Sequence, residues 1–153
     1  MIKVVNGNLL DATENIIGHQ VNCQATMASG IAKQIRARYP TVYDKYVEAS
    51  NKLHPVERLG TCQIVKVDNN KYVANLFGQL YYGREKNVVY TNYIALEAAL
   101  SQLKGLAETQ GLSVALPWRI GCGLANGNWD DIVYPMLHNI FLDYDLTLYK
   151  MEE

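Results

Sequence analysis

The run from Leu116 to Trp129 constrains this chain more than any other stretch, because it places Gly121, Gly123 and Gly127 in a short space between two regular elements. Leu112 to Leu116 before it is apolar and reads as a buried strand. Trp129 to Tyr144 after it reads as mostly helix. Glycine here removes side chains just where a strand hands over to a helix. Such a loop either makes a tight turn or presents backbone N–H groups to an anion. The loop by itself supports both readings equally.

A second stretch of similar character lies earlier. From Asn22 to Arg36 the chain carries small residues at Ala25, Ala28, Ser29 and Gly30, and then Ile31, Ala32 and Ile35 begin a helical stripe. The first amides of a helix lack partners within it, and the helix dipole favours negative charge there. Loop and helix start together predict a phosphate seat. The pattern is neither GxxxxGK[ST] nor GxGxxG, so nothing supports an ATPase or a dehydrogenase.

Length and charge narrow the class further. A chain of 153 residues fits one domain, spanning 1–153, with a core of useful size. Its formal net charge of -1 supplies no global field for nucleic acid or an anionic membrane. No apolar run is long enough to span a bilayer. The N-terminus enters a strand directly, without a signal-peptide pattern, and an odd count of 3 cysteines suits a reducing compartment, so a cytoplasmic location is expected. Cys23, Cys62 and Cys122, with His19, His54 and His138, show no metal-ligand spacing, and no metal is expected. The sequence has 11 tyrosines against 2 phenylalanines, which fits either a stacking surface or amphipathic core edges.

The hydropathy pattern predicts strands over 2–5, 16–21, 61–67, 71–77, 112–116 and 144–149. Pro40 ends the first helix, and Thr41 to Ser50 form another with Val42, Tyr46 and Val47 facing inward. Asn51 to Gly60 reads as a connection in which Arg58 is solvated. Thr91 is the expected cap of a long helix over 92–110, closed by Gly111. Pro135 fits a helix only in its first turn, so the regular part of the last helix starts after Trp129. Met151 to Glu153 reads as a terminal tail. This order predicts an α/β fold, a three-layer α/β/α sandwich with a central mixed sheet. Both small-residue loops follow strands, so both are expected at the crevice beyond the strands' carboxyl ends. His19, within the second strand, is either a satisfied interior histidine or a catalytic base. Tyr81 and Tyr82 either stack on a ligand or simply pack their loop.

The stretches Val21 to Ala32 and Pro117 to Trp129 resemble those of the macro domain family, whose members bind ADP-ribose and its derivatives. Asn6 to Leu10 resembles that family's Gly-Asp-Ile or Gly-Asp-Leu opening, and the element order matches over the whole chain. The resemblance implies that Asn8 takes the place of an aspartate that accepts from the adenine amino group; a plain turn residue is the alternative. It sets Leu9 against the adenine, and Asn22 and Gln24 at the distal ribose. Met27 through Ala32, including Ser29, Gly30 and Ile31, would wrap the diphosphate. Ile120, Gly121, Cys122, Gly123 and Leu124 would close over it from the other side. Tyr149 and the loop from Gly78 to Tyr82 would form the rim.

Small macro domains include ADP-ribose glycohydrolases, which use a lysine where this chain has Gln79 and an aspartate where it has Ala125. Both departures argue against that covalent route. Asp130 and Asp131 read as charges at a helix start. What remains is hydrolysis of a substituent on the distal ribose, as in ADP-ribose 1''-phosphate or O-acetyl-ADP-ribose, with Asn22 and Gln24 as the catalytic candidates that orient water. His19 and Cys23 serve only if they face the cleft. Arg119 either reaches a terminal phosphate or caps its loop. The alternatives are a non-catalytic ADP-ribose-binding module and a de-ADP-ribosylating hydrolase. No cofactor is expected, ADP-ribose being ligand or substrate, and the chain is expected to act as a monomer.

Overall fold

In the computed structural model, residues 1 to 151 are described, so Glu152 and Glu153 at the end of the expected tail lie outside it. The strands are β1 (Ile2–Asn6), β2 (Ile16–Asn22), β3 (Cys62–Asp68), β4 (Lys71–Gln79), β5 (Val114–Pro117) and β6 (Leu146–Lys150). The helices are α1 (Gly30–Arg38), α2 (Pro40–Lys52), α3 (Pro55–Arg58), α4 (Tyr93–Gln110) and α5 (Tyr134–Ile140). A 3-10 turn covers Leu9–Asp11, and a π-helical turn over Trp129–Val133 leads into α5.

The sheet runs β1-β6-β5-β2-β4-β3. Every neighbouring pair is parallel except β3 with β4, the hairpin pair. Alternation along the strands divides the core between two faces. Ala74, Leu76, Val114 and Leu116 pack with Leu96, Leu100 and Leu103 of α4 and Leu137 of α5. Val73, Phe77 and Val21 point the other way, against Ile35 of α1 and Val42 and Tyr46 of α2. This is the expected three-layer sandwich with a mixed sheet.

Several local expectations change. The cap of α4 is Asn92, whose side chain accepts from the Ala95 amide at 3.0 Å, while Thr91 is buried and donates its hydroxyl to the Gly121 carbonyl at 2.6 Å. Pro40 does not merely end α1: it opens α2, at a position where a missing N–H costs nothing. The stretch expected as a connection holds the end of α2 and the short α3, opened by a reciprocal His54–Glu57 capping box. Pro135 lies in the first turn of α5, as expected.

Arg58 is not solvated. It is 3% exposed and donates to the Cys23 carbonyl at 2.8 Å, the Ser50 hydroxyl at 2.9 Å and the Leu53 carbonyl at 3.3 Å. Three acceptors compensate the loss of water, and its guanidinium lies 5.7 Å from the centre of the Phe77 ring. Arg58 thereby ties the loop after β2 to the end of α2.

His19 is fully buried, with Nε2 2.7 Å from Asn75 Oδ1. The Asn75 amide donates to Gln63 Oε1 at 3.0 Å, so its oxygen faces His19 and the imidazole donates from Nε2. The Nδ1 atom has no partner among the described residues. Burial lowers the pKa to about 4, against a smaller opposing effect of the Asn75 bond. The unfolded histidine titrates near 6.5. As pH falls, the unfolded chain therefore takes up this proton first. The stabilisation is complete above that value and is lost as pH falls towards the folded pKa. Wild type should lose about 3 kcal/mol more between pH 7 and pH 4 than a His19→Gln chain does. Urea denaturation at the two pH values measures this; equal losses would contradict it.

Candidate functional site

Because β2 and β5 are parallel neighbours, the loops that follow them leave the sheet on the same edge. Between these loops runs a cleft of three adjoining compartments. The first, about 900 Å3, is lined by Asn8, Leu9, Trp118, Arg119, Tyr149 and Lys150 among others. The middle one, about 300 Å3, lies between Ser29 to Ala32 and Ile120 to Ala125. The distal one, about 560 Å3, includes Gln20, Asn22, Gln79, Tyr82 and Arg84. Ile31, Trp118 and Arg119 are shared by the first two, and Gln20, Ser29 and Leu124 by the last two.

The middle compartment is built from backbone. Ser29 precedes α1 but makes no side-chain cap, and Lys33 is the first residue whose amide bonds back, to the Ser29 carbonyl at 3.3 Å. The amides of Gly30, Ile31 and Ala32 therefore stay open at the helix start. Across from them, the Ile120 and Cys122 amides are used within the loop, on the Pro117 and Arg119 carbonyls. Those of Gly121, Gly123 and Leu124 have no protein partner among the described residues. Gly121 sits at φ +74, a left-handed conformation that glycine adopts freely. Arg119 takes the same region at φ +65 without that freedom, which turns the chain sharply beside the cleft.

Two predicted site residues lie in the core instead of the cleft. Met27 is 1% exposed and packs with Val21 and Phe77, so its side chain has no access to a ligand. Cys122 is 6% exposed with its thiol on the Ile120 carbonyl, and burial pushes its pKa up to about 11. Cys23 is buried too, its thiol pKa raised by burial against a smaller opposing effect of Arg58. Neither His19 nor Cys23 lines the cleft.

At the first compartment, Asn8 Oδ1 accepts from the Leu10 amide at 3.0 Å and so caps the short 3-10 turn. Its side-chain amide N–H groups have no partner among the described residues. Leu9 beside it is 3% exposed and contributes an apolar wall. The Tyr149 hydroxyl donates to Glu14 Oε1 at 2.6 Å, which fixes its ring at the rim.

The distal floor is a set of amides. Gln20 Nε2 donates to Gln79 Oε1 at 2.7 Å and to Thr91 Oγ1 at 2.9 Å, and Gln79 Nε2 donates to the Tyr81 carbonyl at 2.8 Å. Asn22 lines this compartment, but its oxygen is engaged by the Gln24 amide at 2.9 Å and lies 2.8 Å from the Tyr46 hydroxyl. One N–H of Asn22 is held by the Thr26 carbonyl at 2.9 Å, which leaves one free. Gln24 is tied to the Leu80 carbonyl at 3.0 Å and does not line the cleft. Gln20 and Arg84 escaped the sequence reading. Gln20 sits within a strand pattern, where a single glutamine carries no signal, and Arg84 lies just past the Tyr81-Tyr82 pair that drew attention to the loop.

The charges that the described residues bring to the cleft all have one sign. Among the described residues its lining carries Arg84, Arg119 and Lys150, with no carboxylate and no histidine, in a chain whose net charge is -1. Open amides on both sides and a lining whose described charges are all cationic fit an anion seat with a nucleoside-sized chamber at one end and a smaller chamber at the other.

Residues 19–134 match the model of the macro domain family. The chain belongs to that family. An ADP-ribose 1''-phosphate phosphatase from Meyerozyma guilliermondii is 26% identical over 155 residues, covering 85% of this chain and 89% of that one. A DNA ADP-ribosyl glycohydrolase from Mycobacterium tuberculosis is 26% identical over 134 residues, covering 86% of this chain and 36% of the relative. The chain thus spans about a third of that protein. The solved macrodomain of Mycobacterium tuberculosis DarG superposes with a TM-score of 0.80 at 25% identity, over 97% of each chain.

In this macro domain the glycine loop is closed by a backbone contact. The Gly127 amide donates to the Gly121 carbonyl at 3.0 Å, and a Cβ on Gly127 would stand 2.4 Å from that oxygen. Backbone cannot yield as a flexible side chain does. Gly127→Ala should therefore destabilise the fold by about 2 kcal/mol, the usual cost of overpacking. A chemical denaturation curve within 0.5 kcal/mol of wild type, roughly the scatter of a neutral surface change, would contradict this.

Proposed function

We propose that the cleft binds an ADP-ribose unit and hydrolyses a substituent on its distal ribose, with the 1''-phosphate monoester as the substrate it suits best. The observation that carries this reading is the middle compartment, where open amides from α1 and from the glycine loop face one seat. A diphosphate, with anionic oxygens on both sides, suits donors on two sides of one seat, and the chambers on either side suit a nucleoside and a substituted ribose. The relative named as an ADP-ribose 1''-phosphate phosphatase, similar along most of both chains, supports the choice of substrate.

The first chamber takes the nucleoside, with Leu9 against the base and Asn8 at its polar edge. Gly30, Ile31 and Ala32 donate to one side of the diphosphate, and Gly121, Gly123 and Leu124 to the other. Phosphoryl transfer passes through a loose transition state, so catalysis rests on positioning and charge. Water attacks phosphorus, the bond from phosphorus to the anomeric oxygen breaks, and its electron pair stays on that oxygen. The oxygen receives a proton originating from the attacking water, giving ADP-ribose and inorganic phosphate. The free N–H groups of Asn22 and Gln79 are donors, suited to oxygens that gain charge. Among the described residues no side chain lining the middle or distal compartment is a carboxylate or histidine able to act as general base. The substrate's own phosphate oxygen is the proton carrier in this scheme.

A middle and distal lining without a base among the described residues favours one competing reading, a binding module that holds ADP-ribose without turnover. Gln79 and Ala125, at the positions where the resembling glycohydrolases carry lysine and aspartate, disfavour glycosidic cleavage.

Calorimetry with ADP-ribose and phosphate release from ADP-ribose 1''-phosphate separate these readings. Binding with release supports the phosphatase, binding without release supports the module, and no heat at millimolar ligand contradicts both. If the substrate carries its own proton, kcat/KM should follow one ionisation near 6, that of the phosphate. A bell with a second limb between about pH 5 and 8 would mean a general base in the protein.

A further inference from the structure

We infer that Arg84 is the residue that selects a phosphorylated distal ribose over an unmodified one, a role that rests on the function proposed above. The distal compartment is lined by amides, small residues, Leu124 and Tyr82, and Arg84 is its one charged lining residue among the described residues. Arg119 lines the first and middle compartments instead, with a guanidinium nitrogen 3.5 Å from the Cys122 carbonyl. The two arginines thus serve opposite ends of the cleft. Arg119 stands by the nucleoside and diphosphate, and Arg84 by the group that distinguishes one ADP-ribose derivative from another.

Arg84 is exposed, yet its segment is held. Asn126 Nδ2 donates to the Glu85 carbonyl at 2.9 Å and to the Val88 carbonyl at 2.7 Å. The Tyr90 amide donates to the Ala125 carbonyl at 2.8 Å, and the Glu85 amide donates to the Tyr90 hydroxyl at 3.2 Å. The glycine loop that lines the middle compartment therefore also fixes the loop that carries Arg84. From there Nη2 reaches across the mouth to Ser29 Oγ at 3.3 Å, at the start of α1. Among the described residues no carboxylate pairs with Arg84. Its remaining guanidinium donors stay available for a planar, two-point contact with phosphate oxygens. A neutral substituent such as an acetyl ester offers no charge for that contact, so the site discriminates by charge as well as by shape.

The test compares two ligands, ADP-ribose and a hydrolysis-resistant phosphonate analogue of ADP-ribose 1''-phosphate, by calorimetry at low and at moderate salt. Wild type should bind the phosphonate more tightly than ADP-ribose, by a margin that narrows as salt rises. Arg84→Gln should weaken the phosphonate tenfold or more and leave ADP-ribose within twofold. Arg84→Lys should recover part of the loss, since it restores the charge without the fork. Asn126→Ala, which frees the loop, should show a smaller loss confined to the phosphonate. Arg119→Gln should weaken both ligands in similar proportion. Equal weakening of both ligands by Arg84→Gln, or no effect on either, overturns the role of Arg84 while leaving the ADP-ribose site standing. Failure of wild type to bind either ligand overturns both that role and the function beneath it.

Discussion

The parallel pairing of β2 with β5 is the constraint on which the rest of the molecule depends. It aligns Ile16 with Val114 and Ile17 with Ala115, and so brings out at one sheet edge two loops separated by most of the chain. Each loop by itself supplies only a few open amides. Brought together, they form one seat in which donors converge from two directions without the entropy cost of gathering flexible side chains. β6 sits beyond β5 and carries Tyr149 and Lys150 to the nucleoside end. β4 sits beyond β2 and carries Gln79 to the distal end.

Polar contacts behind the cleft hold this arrangement in register. Thr91 joins the start of α4 to the Gly121 carbonyl and also accepts from Gln20, so strand, helix and glycine loop share one hydroxyl. Arg58 plays the equivalent part for the loop after β2, through the Cys23 carbonyl. Tyr46, fully buried in α2, bonds to Asn22 and receives the Thr26 amide at 3.2 Å. Asn22 is thereby oriented by its neighbours, with its acceptor spent inside the protein and a donor left towards the cleft. A wall whose described residues offer donors and cations suits a ligand rich in anionic oxygen.

Much of this could be read from the residues alone. The apolar run ending at Leu116 and the alternation over 61–67 and 144–149 marked strands, and the clustered small residues before Ile31 and around Gly121 marked the two loops. What the sequence hid depended on contacts between distant residues. Arg58 looked solvated because a charge in a connecting stretch usually is; its three acceptors come from the end of α2 and from the distant loop after β2. Thr91 looked like a cap because it precedes a helix, but Asn92 takes that role and frees the hydroxyl for Gly121. The family resemblance grouped Met27 and Gln24 with the site. Met27 packs into the core instead, and Gln24 is tied to the Leu80 carbonyl just past β4. Gln20 and Arg84 gave no signal until the compartments around them were visible.

The claim that both loops form a single diphosphate seat is tested most directly by titrating 15N-labelled protein with ADP-ribose and following backbone amides by NMR. The amides of Gly30, Ile31, Ala32, Gly121, Gly123 and Leu124 should shift together along one binding curve, and adenosine alone should move the surroundings of Asn8 and Leu9 while leaving those six nearly still. Shifts confined to one loop, or the same response of the six to adenosine, would contradict it.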